Sequence, residues 1–219
     1  MNIFSKVKAI IFDFDGTLVN EIHWVESRWK KTIVYAEKEL KLKNFGKVFW
    51  KIFREKGLKY KNHVNDTLEE LDYDLNDLRK IVDKFLSEVV DEELMDGVIE
   101  CLDFLKNKYK LGIITNGIKE VQSKRIMNAG IFNYFDVIIY AFENPKPFRN
   151  PYEKCLSFLK VKPREAIFIG DDYINDFQTP RELGMISVYF NPRKDKYFFK
   201  SKYIVKSFNE LLNLLKEIN

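Results

Sequence analysis

The sequence predicts an α/β fold, a parallel sheet flanked by helices and interrupted once by an all-helical insertion. Three observations carry this reading. Several short apolar runs are too continuous to leave a solvated face; helical stripes separate most of them; one long interval holds helical stripes alone. The length of 219 residues accommodates one large domain or a core with a smaller insertion.

In chain order, the runs that read as buried strands are Val7 to Phe12, Leu111 to Thr115, Val137 to Tyr140, Ala166 to Ile169, Ile186 to Phe190 and a weaker Tyr203 to Val205. Between them lie helical patterns: Gly97 to Lys108 with Val98, Cys101, Leu102 and Leu105 on one stripe, then Ile118 to Ala129, Pro151 to Leu159 and Phe208 to Ile218. From Glu21 to Glu93 there is no convincing strand. That interval shows stripes from Trp24 to Leu40, through Phe45, Val48, Phe49, Ile52 and Phe53, and from Leu68 to Leu86. Its Trp and Phe residues read as a small hydrophobic core rather than an aromatic binding box. The expected domains are therefore an α/β core at 1–19 and 95–219, and a helical domain at 20–94.

Composition excludes several classes. With 46% apolar and 32% charged residues, 9 Gly, 6 Pro and 2 Cys, the chain is neither collagenous, nor disulfide-stapled, nor disordered. Its 37 basic and 33 acidic residues are interspersed and sum to +4, which argues against nucleic acid as a partner. Cys101 and Cys155 have no Cys or His neighbour at ligand spacing and read as reduced, buried apolar residues. No stretch approaches the roughly 20 apolar residues of a membrane span, and the early apolar run lacks a signal-peptide cleavage pattern. The expectation is a cytoplasmic protein with no membrane partner; no pattern specifies its oligomeric state.

In open α/β sheets, ligands bind beyond the carboxyl ends of the strands, so the polar residues that follow each run are the ones to inspect. Asp13-Phe14-Asp15-Gly16-Thr17 follows the first run, Thr115-Asn116-Gly117 ends the second, and Gly170-Asp171-Asp172 follows the fourth, with Asp176 shortly after. Beyond Tyr140 the chain reaches Lys146. Up to five carboxylates at one sheet edge against a single lysine call for a cation. An all-oxygen set without His or Cys suits Mg²⁺. Taken singly, each segment has a plainer reading: a turn with Gly16 at positive φ, a helix cap at Thr115-Asn116-Gly117, and helix-capping Asp171 and Asp172.

Taken together and in order, the four segments resemble the motifs of haloacid dehalogenase-type hydrolases, the aspartate-nucleophile phosphatase group. Asp13 to Thr17 matches that family's Asp-x-Asp-Gly-Thr, Thr115 its strand-ending Thr or Ser, Lys146-Pro147 its Lys, and Gly170 to Asp176 its Gly-Asp-x-x-x-x-Asp. The resemblance implies a Rossmann-like core. It also implies Asp13 as nucleophile toward a phosphomonoester and Asp15 as general acid and base. Thr115, the Asn116 amide and Lys146 would bind phosphate oxygens; Mg²⁺ would sit among Asp13, the Asp15 carbonyl and Asp171, with Asp176 holding it or its waters. Arg149 stands where the family usually has a second Pro after the Lys, and Asp172 replaces a frequent Ser, read here as a helix N-cap.

Placement of the insertion sets the subclass. The interval from Thr17 to Thr115 is long and helical, whereas Gly117 to Pro145 is filled by one helix and one strand. The chain thus resembles members with a helical, C1-type cap between the first and second motifs, in which cap residues select the substrate. Asn20, His23 and Trp24 are the specificity candidates. Asp15 argues against dehalogenation, whose halide leaves without a proton. The expected activity is Mg²⁺-dependent hydrolysis of a small phosphorylated metabolite. A sugar phosphomutase, or a non-catalytic protein of the same fold, is the alternative.

Overall fold

A computed structural model describes residues 6–58, 60–193, 201 and 203–216. The sheet has the order β3-β2-β1-β4-β5-β6 and every pairing is parallel. Its strands are β1 (Ala9–Phe12), β2 (Lys110–Thr115), β3 (Val137–Tyr140), β4 (Ala166–Gly170), β5 (Ile186–Phe190) and β6 (Ile204–Val205). Parallel neighbours require crossovers, and among the described residues helices supply those between β1 and β2, β2 and β3, β3 and β4, and β4 and β5. α1 (Glu21–Lys38), α2 (Phe45–Lys56), α3 (His63–Glu70) and α4 (Leu78–Ser87) form the insertion; α5 (Val98–Leu105), α6 (Lys119–Asn128), α7 (Arg149–Leu159), α8 (Thr179–Glu182) and α9 (Phe208–Lys216) accompany the sheet. The last two residues of the expected final helix, 217 and 218, lie outside the described residues.

The unbroken apolar strands follow from burial on both faces. Alternate side chains of β1 point opposite ways: Ile10 and Phe12 join a cluster with Val98, Leu102 and Leu105 of α5 and Phe208 and Leu211 of α9. Ala9 and Ile11 join the other layer, with Tyr152, Cys155 and Leu159 of α7. Both cysteines are buried free thiols; burial pushes Cys101 up to about 12 and raises Cys155 as well, which leaves them inert packing groups.

The chain divides into two compact units, 1–20 with 92–219, and 21–91. The division falls slightly inside the expected 20–94 interval. Asn20 stays with the sheet because its N–H donates to the Glu93 carbonyl at 2.8 Å and its Nδ2 to Glu93 Oε2 at 3.0 Å. The helical unit has its own core of Trp29, Ile33, Phe45, Phe49, Phe53, Val64, Leu68 and Ile81. Trp29 packs against Phe49 and Phe85 with ring centroids 4.4 and 4.2 Å apart. Its aromatic richness therefore serves packing. Among the described residues, no helix is long and apolar enough to cross a membrane.

β1 sits in the middle of the sheet. From it the chain builds outward through β2 and β3 on one side, then returns to lay β4, β5 and β6 on the other. This reversal leaves a crevice at the carboxyl ends of β1 and its two neighbours. Register fixes the level of that edge: Phe12 is paired with both Ile113 and Ile169.

Candidate active site

Asp13 leaves β1 with its N–H bonded to the Ile169 carbonyl at 2.9 Å, so the backbone of β4 carries the ladder one residue past the strand. Thr115 is the last residue of β2 and is fully buried; Asp171 directly follows β4. Three residues from distant parts of the sequence thus emerge on one edge because their strands are in register. Gly16, at φ 78°, turns the chain after Asp15, and a Cβ there would stand 2.6 Å from Asp171 Oδ2. Only glycine admits Asp171 so close to the turn.

Lys146 comes from the loop after β3. Its backbone N–H donates to Asn116 Oδ1 at 2.8 Å, and Asn116 Nδ2 reaches back to its carbonyl at 3.4 Å. The ammonium then bridges two carboxylates, 2.6 Å from Asp13 Oδ1 and 2.7 Å from Asp176 Oδ1. Asp176 lies in the π-helical turn Tyr173–Gln178 and takes a second bond on Oδ2 from the Asp172 N–H at 3.0 Å. The Asp172 side chain caps that turn, accepting from the N–H groups of Ile174 and Asn175, each at 3.0 Å. A Cβ on Gly170 would fall 2.4 Å from Asp176, so glycine is what lets the turn fold back against β4. Asp171 accepts from Arg193 Nη2 at 2.7 Å.

Asp13, Asp171 and Asp176 each offer a carboxylate oxygen within 4.8 Å of the others. This donor set is all oxygen, the chemistry of a hard divalent cation. Burial raises the Asp13 carboxyl well above the usual range, and the charges of Asp176 and Asp171 push the same way against the pull of Lys146. Burial raises Asp176 too, again opposed by Lys146. Burial alone would lower Lys146, but Asp13 and Asp176 outweigh it and hold the ammonium charged. Three acids against Lys146 and Arg193 still leave one negative charge that a cation would neutralise.

Asp15 stands apart from this trio. Its Oδ1 accepts from Arg125 Nη1 at 2.6 Å and its Oδ2 from Gln122 Nε2 at 2.9 Å. The same Gln122 nitrogen is 2.6 Å from Thr115 Oγ1, and Arg125 also forks onto Glu92 at 2.6 and 3.0 Å. Gln122, Arg125, Glu92 and Arg193 were not among the residues singled out by the motifs. The sequence does carry a signal for two of them: Gln122 and Arg125 lie three apart, in register with Ile126 on the buried face of α6, where apolar residues are expected. Of the specificity candidates, Asn20 belongs to the sheet unit, while exposed His23 and half-buried Trp24 belong to α1, with the Arg28 guanidinium 4.4 Å from the Trp24 ring centre.

The arrangement supplies a carboxylate beside a fixed ammonium, further acids able to hold a cation, and a separately held carboxylate on the same loop. Comparison with known proteins gives a consistent picture. The haloacid dehalogenase-like hydrolase family profile matches residues 10–190. A glyceraldehyde 3-phosphate phosphatase of Methanocaldococcus jannaschii is 28% identical over 227 residues, covering 97% of this chain and 98% of that protein. The pyrophosphatase PpaX of Bacillus cereus is 25% identical over 227 residues, covering 98% and 99%. Among solved structures, the HAD-hydrolase YfnB of Bacillus subtilis bound to magnesium shares the fold with a TM-score of 0.74 at 19% identity, covering 96% of this chain and 99% of that one. A HAD phosphatase of Thermococcus onnurineus aligns with a TM-score of 0.67 at 23% identity, covering 95% and 98%.

Proposed function

The chain belongs to the haloacid dehalogenase-like hydrolases, and on that premise we propose that it is a Mg²⁺-dependent phosphatase of a small phosphorylated metabolite, working through an aspartyl-phosphate. The observation that carries this reading is Lys146 set between Asp13 and Asp176, with Asp171 completing a three-carboxylate group at the end of β1. Relatives named as phosphatases support it.

Asp13 attacks phosphorus and the leaving oxygen departs on the opposite side. Asp15 protonates that oxygen, then takes a proton from the water that cleaves the aspartyl-phosphate and releases orthophosphate. Thr115, the Asn116 amide and Lys146 bind the equatorial oxygens, where charge develops. Asp13, the Asp15 carbonyl, Asp171 and Asp176 would hold Mg²⁺, which supplies Lewis-acid charge to the transferring phosphoryl group. By its place in the sequence, the helical segment is read as the cap, and Asn20, His23 and Trp24 as residues that select the leaving group.

The test is orthophosphate release from a panel of metabolite phosphates that includes glyceraldehyde 3-phosphate and pyrophosphate, the substrates named for the relatives. Hydrolysis should need Mg²⁺, vanish with EDTA, and be lost in Asp13→Asn. Isomerised sugar phosphate without orthophosphate would identify a mutase. Inactivity of the wild type on the whole panel and on p-nitrophenyl phosphate would defeat the enzymatic reading.

A further inference from the structure

Asp15 is gripped from two sides by residues to which the motifs assign no part. Each of its oxygens accepts from a different side chain, Arg125 at 2.6 Å and Gln122 at 2.9 Å, which confines the carboxyl group to one orientation. Both donors are themselves anchored. Arg125 presents Nε and Nη2 to Glu92, whose side chain is only 1% exposed, and this fork leaves Nη1 to face Asp15. Gln122 is tied to Thr115 Oγ1 at 2.6 Å, and its Oε1 accepts from Arg125 Nη1 at 3.1 Å. Gln122 and Arg125 are buried, as is the side chain of Glu92, and the guanidinium also lies 5.1 Å from the Phe14 ring centre.

We propose that Arg125 and Gln122, with Glu92 behind Arg125, are positioning residues for proton transfer by Asp15; this rests on the reading of Asp15 as acid and base. In the first half-reaction the bond from Asp13 oxygen to phosphorus forms, the bond from phosphorus to the leaving oxygen breaks, and the Asp15 proton passes to that oxygen. In the second, water oxygen bonds to phosphorus, its proton passes to Asp15, and the phosphorus bond to Asp13 breaks. One carboxyl serves two oxygens in turn, and each transfer works only within about 2.6–3.2 Å. A carboxyl free to rotate would spend most of its time out of reach. The chain that fixes it also links Asp15 to Thr115, one of the residues assigned to the phosphate, so the proton donor and the phosphoryl group share one frame.

The test reads the first turnover of leaving-group release, with Mg²⁺ present, for an alkyl phosphate, 4-nitrophenyl phosphate and 2,4-dinitrophenyl phosphate. Arg125→Met should slow the alkyl ester by about 100-fold, but the dinitrophenyl ester, whose phenolate departs unprotonated, by less than about fivefold. Gln122→Leu should show the same asymmetry with about a tenfold loss on the alkyl ester, and it alone decides the matter if Arg125→Met does not fold. Arg125→Lys, which keeps charge without the fork, should recover part of the rate. Equal slowing of all three esters, or none, overturns the positioning role. Failure of the unmutated protein to release alcohol from any phosphate overturns the reading of Asp15 itself, and the two failures are read on different proteins.

Discussion

Replacing Lys146 by Met keeps the bulk of the stem and removes only the ammonium. In the folded chain that ammonium is 2.6 Å from Asp13 and 2.7 Å from Asp176, with side chains 3%, 10% and 0% exposed respectively. Water therefore screens little of what is lost. Taking one partner from a buried pair costs about 3–5 kcal/mol, because the remaining charge is left uncompensated. Here two carboxylates lose their shared partner, and among the described residues only Asp176 retains another donor, the Asp172 N–H. For a chain of this size each kcal/mol moves the melting temperature by about 2–4 °C, so Lys146→Met should melt about 6–20 °C below wild type in EDTA. Mg²⁺ at a hundred times its Kd should return about 2.7 kcal/mol. The assay is thermal unfolding by far-ultraviolet circular dichroism of both proteins, in EDTA and in Mg²⁺. A variant that melts with wild type in EDTA would refute the reasoning, since it would mean that Lys146 does not compensate the buried acids. Phosphatase activity of the variant should fall by about 100- to 1,000-fold, the usual effect of removing one fixed donor from a developing oxyanion.

Two further predictions concern separate parts of the molecule. Gly170→Ala would place a methyl group 2.4 Å from Asp176 and must displace it, costing about 1–3 kcal/mol of stability, read as a lower urea midpoint. Calorimetric titration should also show weaker Mg²⁺ binding, and an unchanged urea midpoint would contradict the close approach. His63, 5% exposed in the core of the helical unit, is held below its ordinary value by burial, against the opposing hydrogen bond to the Gly57 backbone. The fold therefore favours the neutral ring, while the unfolded chain takes up a proton near pH 6.5. Stability from this site is complete above that value and falls as pH drops through the lower folded value, by at most about 1.4 kcal/mol per pH unit. Urea unfolding at pH 7.5 and 5.5 should show a steeper loss for wild type than for His63→Gln; equal losses would remove His63 as the cause.

The sheet was legible because its inner strands, β1, β4 and β5, have no solvated face. Ile10, Ile11 and Phe12, or Ile167, Phe168 and Ile169, can be continuous only when both sides of the strand are covered, and both are. The carboxylate trio was legible for a related reason. Residues directly after strands must lie on one edge, so Asp13 and Asp171 could be placed together without knowing the strand order. What could not be read was the support around Asp15. Gln122 and Arg125 sit on a helix with modest apolar content, and their partners Glu92, Thr115 and Asp15 are scattered along the chain. Such a network follows from tertiary packing: the three-residue spacing puts Gln122 and Arg125 on one helix face but does not identify their partners. Arg193 beside Asp171 escaped for the same reason. Strand and helix ends shifted by one to three residues, as at Ala9, Leu105 and Arg149, because pairing and caps set them rather than apolar content.

At its base, the helical excursion closes like the neck of a purse. Met95 N–H donates to the Leu18 carbonyl at 3.0 Å, Val19 and Leu94 form an antiparallel bridge, and Asn20 holds Glu93. The outgoing and returning strands of chain are thus stitched to each other before the excursion begins. The entropic cost of closing a loop grows only with the logarithm of its length, about 0.6 kcal/mol per doubling. The sheet therefore tolerates inserts of very different size at the same neck with little change in its own stability. An exchange of the segment between Asn20 and Glu92 for another folded segment is a graft at a pre-tied knot, one that leaves the turn from Asp13 to Thr17 in register with the sheet.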